Sequence, residues 1–270
     1  MSLTQAKRRF LGTEMNKTIA IIVPCYNEAA RFPVKYWKEI VRTENDIKWL
    51  FVDDGSYDRT FEILQEVCSG TSSRAIKRLQ NGGKGRAIQQ GLLEVLENDP
   101  ALQVLGYLDS DGAFSKEDVF RLAKMSIDGS RNISTSKMDA VISSRVSLSG
   151  RKINRKSSRH YLGRLIATYL TRKWSDAPYD TQSGYKLFVN SNSFREAIKA
   201  DFSTKWFVDI ELITRIGINN KGLLNIWEEP LLSWTDVDGS NLKLRQFYNI
   251  FLEIISARRL VRMLLAERVK

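Results

Sequence analysis

Three short apolar runs in the first half of the chain each stop at a cluster of acidic or polar residues. Thr18-Ile-Ala-Ile-Ile-Val23 leads into Pro24-Cys25-Tyr26-Asn27-Glu28. Ile47-Lys-Trp-Leu-Phe-Val52 leads into Asp53-Asp54-Gly55-Ser56, and Leu102-Gln-Val-Leu-Gly-Tyr-Leu108 into Asp109-Ser110-Asp111-Gly112. A continuous apolar run bounded by turn residues is the pattern of a strand buried on both faces, as in a parallel sheet. Helical segments fill the intervals: residues 31–44, a helix capped by Asp58 and running to about Val67, Lys84 to Glu97 after the Asn81-Gly82-Gly83 turn, and a helix opened by Ser115 with Asp118 three residues on. Residues 75–79 and Ala140-Val-Ile-Ser143 read as further strands. Strands alternating with helices at this spacing predict right-handed crossovers. The expected class is therefore α/β, a mostly parallel sheet flanked by helices.

Composition narrows the function. Two cysteines, Cys25 and Cys68, exclude a disulfide scaffold and a Cys-rich zinc module, and the single histidine, His160, cannot build a multi-His metal site. His160 lies among arginines and lysines, a poor setting for the base of a Ser-His-Asp triad. No run approaches the ~18 apolar residues of a membrane-spanning helix, and the N-terminus lacks a signal-peptide core, so the expected location is cytoplasmic. The net charge of +11 predicts an anionic partner: nucleic acid, an anionic membrane surface or a phosphorylated substrate. That charge is localised. Residues 145–173 hold nine Lys/Arg and no acid, and residues 241–270 hold seven Lys/Arg against two Glu. The expected organisation is a flexible arm over 1–16, one domain over 17–240 and a helical extension over 241–270.

In open α/β sheets ligands bind beyond the carboxyl ends of the strands, where the three acidic clusters fall. Like charges gathered on one edge repel unless a cation or ligand joins them. Asp109 and Asp111, at i and i+2 beyond a strand, offer hard oxygen ligands suited to Mg²⁺ or Mn²⁺. Asn81-Gly-Gly-Lys-Gly-Arg86 is neither a Walker loop nor Gly-x-Gly-x-x-Gly, yet it sets Lys84 at a helix start where an anion can be met. Asp180-Thr-Gln-Ser-Gly-Tyr-Lys-Leu-Phe188 joins a polar turn to a short strand, and Trp206-Phe-Val-Asp-Ile-Glu-Leu212 opens a helix. Asp209 and Glu211 do not share a face of that helix; an acid directed into a cleft is a candidate general base, and helix-start acids are also favoured by the helix dipole alone.

The ordered set Val23-Pro-Cys-Tyr-Asn-Glu28, Val52-Asp-Asp-Gly-Ser56, Asn81-Gly-Gly-Lys-Gly85, Asp109-Ser-Asp-Gly112, Ser144-Arg145, Asp180 to Phe188, Trp206 to Leu212 and Trp234 to Ser240 resembles family-2 glycosyltransferases of the GT-A fold. Within that family it is most similar to dolichyl-phosphate β-glucosyltransferases and dolichol-phosphate mannose synthases. The resemblance implies that Pro24, Tyr26 and Glu28 contact the nucleotide, that Asp53 and Asp54 hold base and ribose, and that Lys84, Asp109 and Ser110 complete the donor site. It implies a metal on Asp109 and Asp111, an acceptor phosphate on Arg145 and Arg159, and Asp209, with Glu211, as the late acid. One departure is Gly239-Ser-Asn-Leu242, which lacks the family's lysine after Gly-Ser; Lys243 is the nearest substitute.

The implied activity is inverting, metal-dependent transfer of a hexose, glucose by preference, from UDP-glucose (GDP-mannose being the other donor) to a polyprenyl phosphate. The alternative within enzymes is the same donor chemistry on a glycan or other hydroxyl acceptor, as in polysaccharide or capsule assembly. A nucleic-acid-binding protein would also account for the charge, but acids at three strand ends repel phosphates and no zinc-finger or RNP-type motif is present. Phe247, Ile250, Phe251, Ile254, Ile255, Leu260, Val261 and Leu264 recur at helical spacing beside Arg258, Arg259, Arg262 and Arg268. Such a basic amphipathic helix fits peripheral contact with the cytoplasmic membrane face; packing on its own domain, or on a second subunit in a homodimer, gives the same pattern.

Overall fold

The structure is a computed structural model describing residues 18–43, 46–131, 138–154, 165–205, 207–236 and 244–269. The expected α/β pattern is present. β1 (Ile19–Cys25), α1 (Val34–Thr43), β2 (Ile47–Asp53), α2 (Thr60–Cys68), β3 (Arg74–Lys77), α3 (Lys84–Asn98), β4 (Val104–Leu108), α4 (Lys116–Arg131) and β5 (Ala140–Ser144) alternate in order. They are followed by β6 (Lys152–Asn154), β7 (Tyr185–Val189), α5 (Asn192–Lys199), α6 (Val208–Asn219), β8 (Ile226–Pro230), β9 (Ser233–Thr235) and α7 (Leu244–Val269). Residues 165–171 form a further helical stretch.

Seven strands form one sheet in the order β3-β2-β1-β4-β7-β5-β8, and β6 pairs with β9 apart from it. All pairings in the large sheet are parallel except those of β7, which runs antiparallel to both β4 and β5. Gly106 lets β4 and β7 approach: a Cβ there would strike the Lys186 carbonyl. The reversal brings the start of β7, preceded by Asp180 to Gly184, to the edge where the parallel strands end.

Period-two alternation builds a core on each face of the sheet. Ile19, Ile21, Val23, Trp49 and Phe51 pack with Trp37, Ile40, Leu64 and Leu122 on one side. Ala20, Ile22, Leu50 and Val52 pack with Leu92, Phe194, Ile213 and Ile216 on the other. Ser115 caps α4 as expected: its hydroxyl donates to Asp118 at 2.9 Å and accepts the Asp118 N–H at 3.1 Å. Asp58 acts differently from the expectation. α2 starts at Thr60 with Arg59 at the cap, and Asp58 accepts the N–H groups of Thr60 (3.0 Å) and Ala29 (3.1 Å), so it ties the β1 and β2 exits together.

The C-terminal helix packs on its own domain along one face. Ala257, Val261 and Leu264 are buried in the same core as Ile213 and Ile216 of α6. Arg268 donates to the Gly222 carbonyl at 2.8 Å and pairs with Asp176 at 2.5 Å. The opposite face leaves Leu252, Ile255 and Met263 exposed beside Arg259 and Arg262. The side chains of Phe247, Ile250 and Phe251, named above for the amphipathic face, lie outside the described residues. Among the described residues no helix is long and apolar enough to cross a membrane.

Candidate active site

The exits of β1 and β2 are laced to one another. Asn27, in the left-handed region at φ 51°, donates its N–H to Ser56 Oγ at 2.9 Å and accepts the Tyr57 N–H on Oδ1 at 3.2 Å. The Glu28 N–H donates to Thr60 Oγ1 at 2.8 Å, and both Glu28 oxygens accept from Arg31 at 2.6 Å. Tyr26, exposed, meets Tyr57 edge to face at 6.2 Å, so two rings wall this end of the cleft beside half-buried Pro24. Ser110 is buried, and its carbonyl accepts the Trp37 indole N–H at 2.8 Å.

The paired acids after β2 separate in role. Asp53 is fully buried; Oδ1 accepts from Ser56, while Oδ2 accepts no hydrogen bond among the described residues and faces the Lys77 ammonium at 3.6 Å. A buried carboxylate oxygen without a donor is a place for a ligand hydroxyl or amide. Asp54 accepts the N–H groups of Gly82 (3.0 Å) and Gly83 (2.7 Å), the Asn81 amide (3.0 Å) and the Arg78 guanidinium. Its carboxylate is committed to the Asn81–Gly83 turn, which it presses against the end of β2. Gly83, at φ 86°, then starts α3 and delivers Lys84 to the site.

Lys84 Nζ lies 2.7 Å from Asp109 Oδ1. Burial works against its charge, but Asp109 and then Asp209 and Asp111 outweigh that and hold the ammonium protonated. Burial and the neighbouring Asp109 charge push Asp111 up to about 6, although it accepts the Ala113 N–H at 3.0 Å. Two carboxylates in mutual repulsion on oxygen-rich loops fit a divalent cation, which relieves that cost. Gly184 abuts Asp109 so closely that a Cβ would meet its carboxylate, and the Asp109 N–H donates to the Gly184 carbonyl at 2.9 Å.

Asp209 is buried beneath this pair. Its Oδ1 accepts from Lys186 Nζ at 2.7 Å and from the Tyr107 hydroxyl. Burial alone would raise its pKa; the Lys186 and Lys84 charges overcome this and hold it below the ordinary carboxylate range. Glu211 is not brought to the cluster. Its carboxylate accepts the N–H groups of Ser203 and Thr204, both at 2.8 Å, their hydroxyls, and Arg215 at 2.6 Å, so it tethers the 203–204 turn to α6.

Arg145 follows β5 and is clamped. Its N–H and Nε donate to Asp180 Oδ2 at 3.0 and 2.7 Å, Nη2 donates to Oδ1 at 2.8 Å, and the guanidinium lies 5.3 Å from the Trp234 ring centroid. Asp180 is itself held, its N–H and that of Tyr179 donating to Glu228 at 2.7 and 2.6 Å. Arg159, Trp206, Gly239, Ser240 and Lys243, which the sequence motifs single out, lie outside the described residues. Lys186, Tyr107, Asp180 and Gly184 complete the site without individual expectations. A lysine or tyrosine inside a strand pattern gives no sign of an ion pair beneath a cleft.

Residues 20–188 match the glycosyl transferase family 2 profile. The chain belongs to this family. The glycosyltransferase is 29% identical over 241 residues to the dolichyl-phosphate beta-glucosyltransferase of Saccharomyces cerevisiae, covering 84% of this chain and 69% of the relative. It is 27% identical over 251 residues to a dolichyl-phosphate beta-glucosyltransferase of Trichomonas vaginalis, covering 88% and 72%. Among solved structures it superposes on glucosyl-3-phosphoglycerate synthase from Mycobacterium tuberculosis, in complex with Mn²⁺, uridine diphosphate and phosphoglyceric acid. That match has a TM-score of 0.64 at 17% identity and covers 92% of this glycosyltransferase and 78% of that chain. The GT-A expectation is thereby met, with the sheet carrying one reversed strand.

Proposed function

We propose that this glycosyltransferase moves a hexose, glucose by preference, from a uridine diphosphosugar to a polyprenyl phosphate with inversion at the anomeric carbon. The observation that carries the acceptor is a contrast between two side chains whose charges feel each other, Arg145 after β5 and Asp209 on α6. Arg145 is a pre-set cation, whereas Asp209, the acid best placed to be a base, is held ionised by two donors on one oxygen. A hydroxyl acceptor needs a base of suitable pKa. A phosphate monoester, with its second pKa near ~6, arrives mostly as a dianion and needs a cation instead. The relatives named for dolichyl phosphate support the same acceptor class, and the neighbour crystallised with Mn²⁺ and uridine diphosphate supports the donor.

In this mechanism Pro24, Tyr26, Glu28 and Asp53 receive the nucleoside, and Asp54 acts through the Asn81–Gly83 turn that carries Lys84. A divalent ion held by Asp109 and Asp111 would supply Lewis-acid stabilisation of the leaving diphosphate. Lys84 faces the same developing charge. The acceptor phosphate oxygen forms the new bond to the anomeric carbon as the bond to the diphosphate breaks, and the electron pair leaves with the diphosphate. Arg145, with Arg159, orients the attacking phosphate.

Initial-rate assays of nucleotide sugars with Mn²⁺ or Mg²⁺, with and without polyprenyl phosphate, test the proposal directly. UDP-glucose consumption should depend on the lipid phosphate. Asp53→Ala should weaken UDP binding in calorimetry about tenfold or more, the loss of a buried charged partner. Absence of UDP and GDP binding in the presence of metal would overturn the donor assignment.

The exposed face of α7 supports a peripheral position on the cytoplasmic membrane face, where such a lipid resides. Leu252, Ile255 and Met263, three and eight residues apart, fall on one side of the helix with Arg259 and Arg262 between the last two. Changing the three apolar residues to serine should lower co-sedimentation with anionic liposomes and leave melting unchanged. Equal sedimentation of both forms would remove this contact. Deleting the helix is no substitute, because Ala257, Val261 and Leu264 belong to the core.

A further inference from the structure

Lys186 has no exposed surface, yet it lies in the middle of the sheet on β7, between β4 and β5. Its ammonium donates to the Ser183 carbonyl and to Asp209 Oδ1 at 2.7 Å. The Tyr107 ring lies 5.7 Å from the Lys186 ammonium and 5.5 Å from that of Lys84. Lys84 in turn sits on Asp109. From the core to the cleft the charges therefore alternate: Lys186 positive, Asp209 negative, Lys84 positive, Asp109 negative. Arg145 and Asp180, facing each other on the same edge, feel these charges as well.

Replacing a buried ion pair by apolar side chains of similar size is often neutral or stabilising, so packing alone does not call for this one. Removing a single partner is a different matter, since it leaves an uncompensated charge in a low dielectric. An Asp209 without Lys186 draws more strongly on Lys84, whose charge already acts on it. A Lys186 without Asp209 repels Lys84.

We propose that Lys186 is a positioning residue: by closing a neutral pair with Asp209 it leaves Lys84 free to stay on Asp109 at the mouth of the donor site. The inference deepens the transferase reading and rests on it for its kinetic arm. It gives Asp209 a charge-fixing role that does not include taking a proton.

The test compares Lys186→Met, Asp209→Asn and the double variant with the unaltered chain. Three quantities are read: UDP-glucose transfer to polyprenyl phosphate with Mn²⁺, calorimetric binding of UDP or GDP (whichever the unaltered chain binds) with Mn²⁺, and melting temperature. Each single variant should lower kcat about thirtyfold, with the acceptor KM within about threefold, and the double should recover about tenfold over either single, a non-additivity that independent sites do not show. Nucleotide affinity should follow the same order.

A double variant as slow as Asp209→Asn, with unaltered melting, would overturn the proposal by making Asp209 act on the substrate itself. Lys186→Met at the unaltered rate would overturn it as well. If Lys186→Met does not fold, the double, which restores neutrality, still decides. If the unaltered chain transfers nothing to the lipid, the transferase reading fails alone. The affinities then judge Lys186, and equal affinity in all four forms counts against it.

Discussion

Asp111→Asn is expected to lower turnover about a thousandfold, the scale on which preorganised charge at a leaving group contributes to rate. The substitution keeps the shape of the side chain and the oxygen that accepts the Ala113 N–H at 3.0 Å, so the loop is preserved. It removes the charge that, with Asp109, would hold a divalent ion. Without metal the variant should be at least as stable as the unaltered chain, because burial and Asp109 raise Asp111 from an ordinary 3.8 to about 6. The sign follows from linkage. Between those two values the folded state binds more proton than the unfolded state, so stability falls as pH rises through that window. The asparagine variant should lack that part of the fall. Melting curves across the window, with and without EDTA, check this, and full turnover by the folded variant in EDTA would remove metal from the mechanism.

Arg145→Ala should depress transfer to polyprenyl phosphate about a hundredfold while UDP affinity stays within about threefold. The magnitude is that of losing a desolvated, charge-assisted contact. Truncation also leaves Asp180 without its bidentate partner, so some stability is lost. Arg145→Lys separates the effects, retaining the charge but not the fork geometry, and should recover part of the rate. Arg159→Ala is expected to follow the same split. Efficient transfer to a neutral sugar acceptor, indifferent to both arginines and blocked by Asp209→Asn, would make the acceptor a hydroxyl and Asp209 its base.

The strand ends were legible because a parallel strand buried on both faces has a distinctive composition, and ligands collect where such strands stop. β1, β2 and β4 each end within two residues of the expected cluster. The direction of β7 was not legible, since a run such as Tyr185 to Val189 reads the same whichever way the chain crosses the sheet. The division of labour between Asp53 and Asp54 was hidden too. Both lie at one strand end, and only the docking of the Asn81–Gly83 turn commits Asp54 to backbone N–H groups. Helical spacing already separates Glu211 from Asp209, and only the family resemblance joins them; what the sequence hides is that Glu211 is taken up by the Ser203–Thr204 turn and Arg215. Lys186 was concealed for a further reason: a lysine in a strand is ordinarily a solvent-facing residue, and its acidic partner lies on a helix that begins some twenty positions later.

The reversed strand also dictates the order in which the molecule can be completed. β1, β2, β3 and β4 pair with one another using the first part of the chain, but the next strand in the sheet beyond β4 is β7, not β5. β5 is made before β7 and joins the sheet only through β7 and β8, so it has no seat beside β4. Until Tyr185 to Val189 arrives, β4 presents an unpaired edge, the kind of surface through which half-formed chains associate. The same late arrival carries Gly184 to Asp109 and Lys186 to Asp209. Insertion of β7 thus joins the two parts of the sheet and supplies the buried lysine and the Gly184 backbone together, and a chain stalled before it carries Lys84 and Asp109 without either.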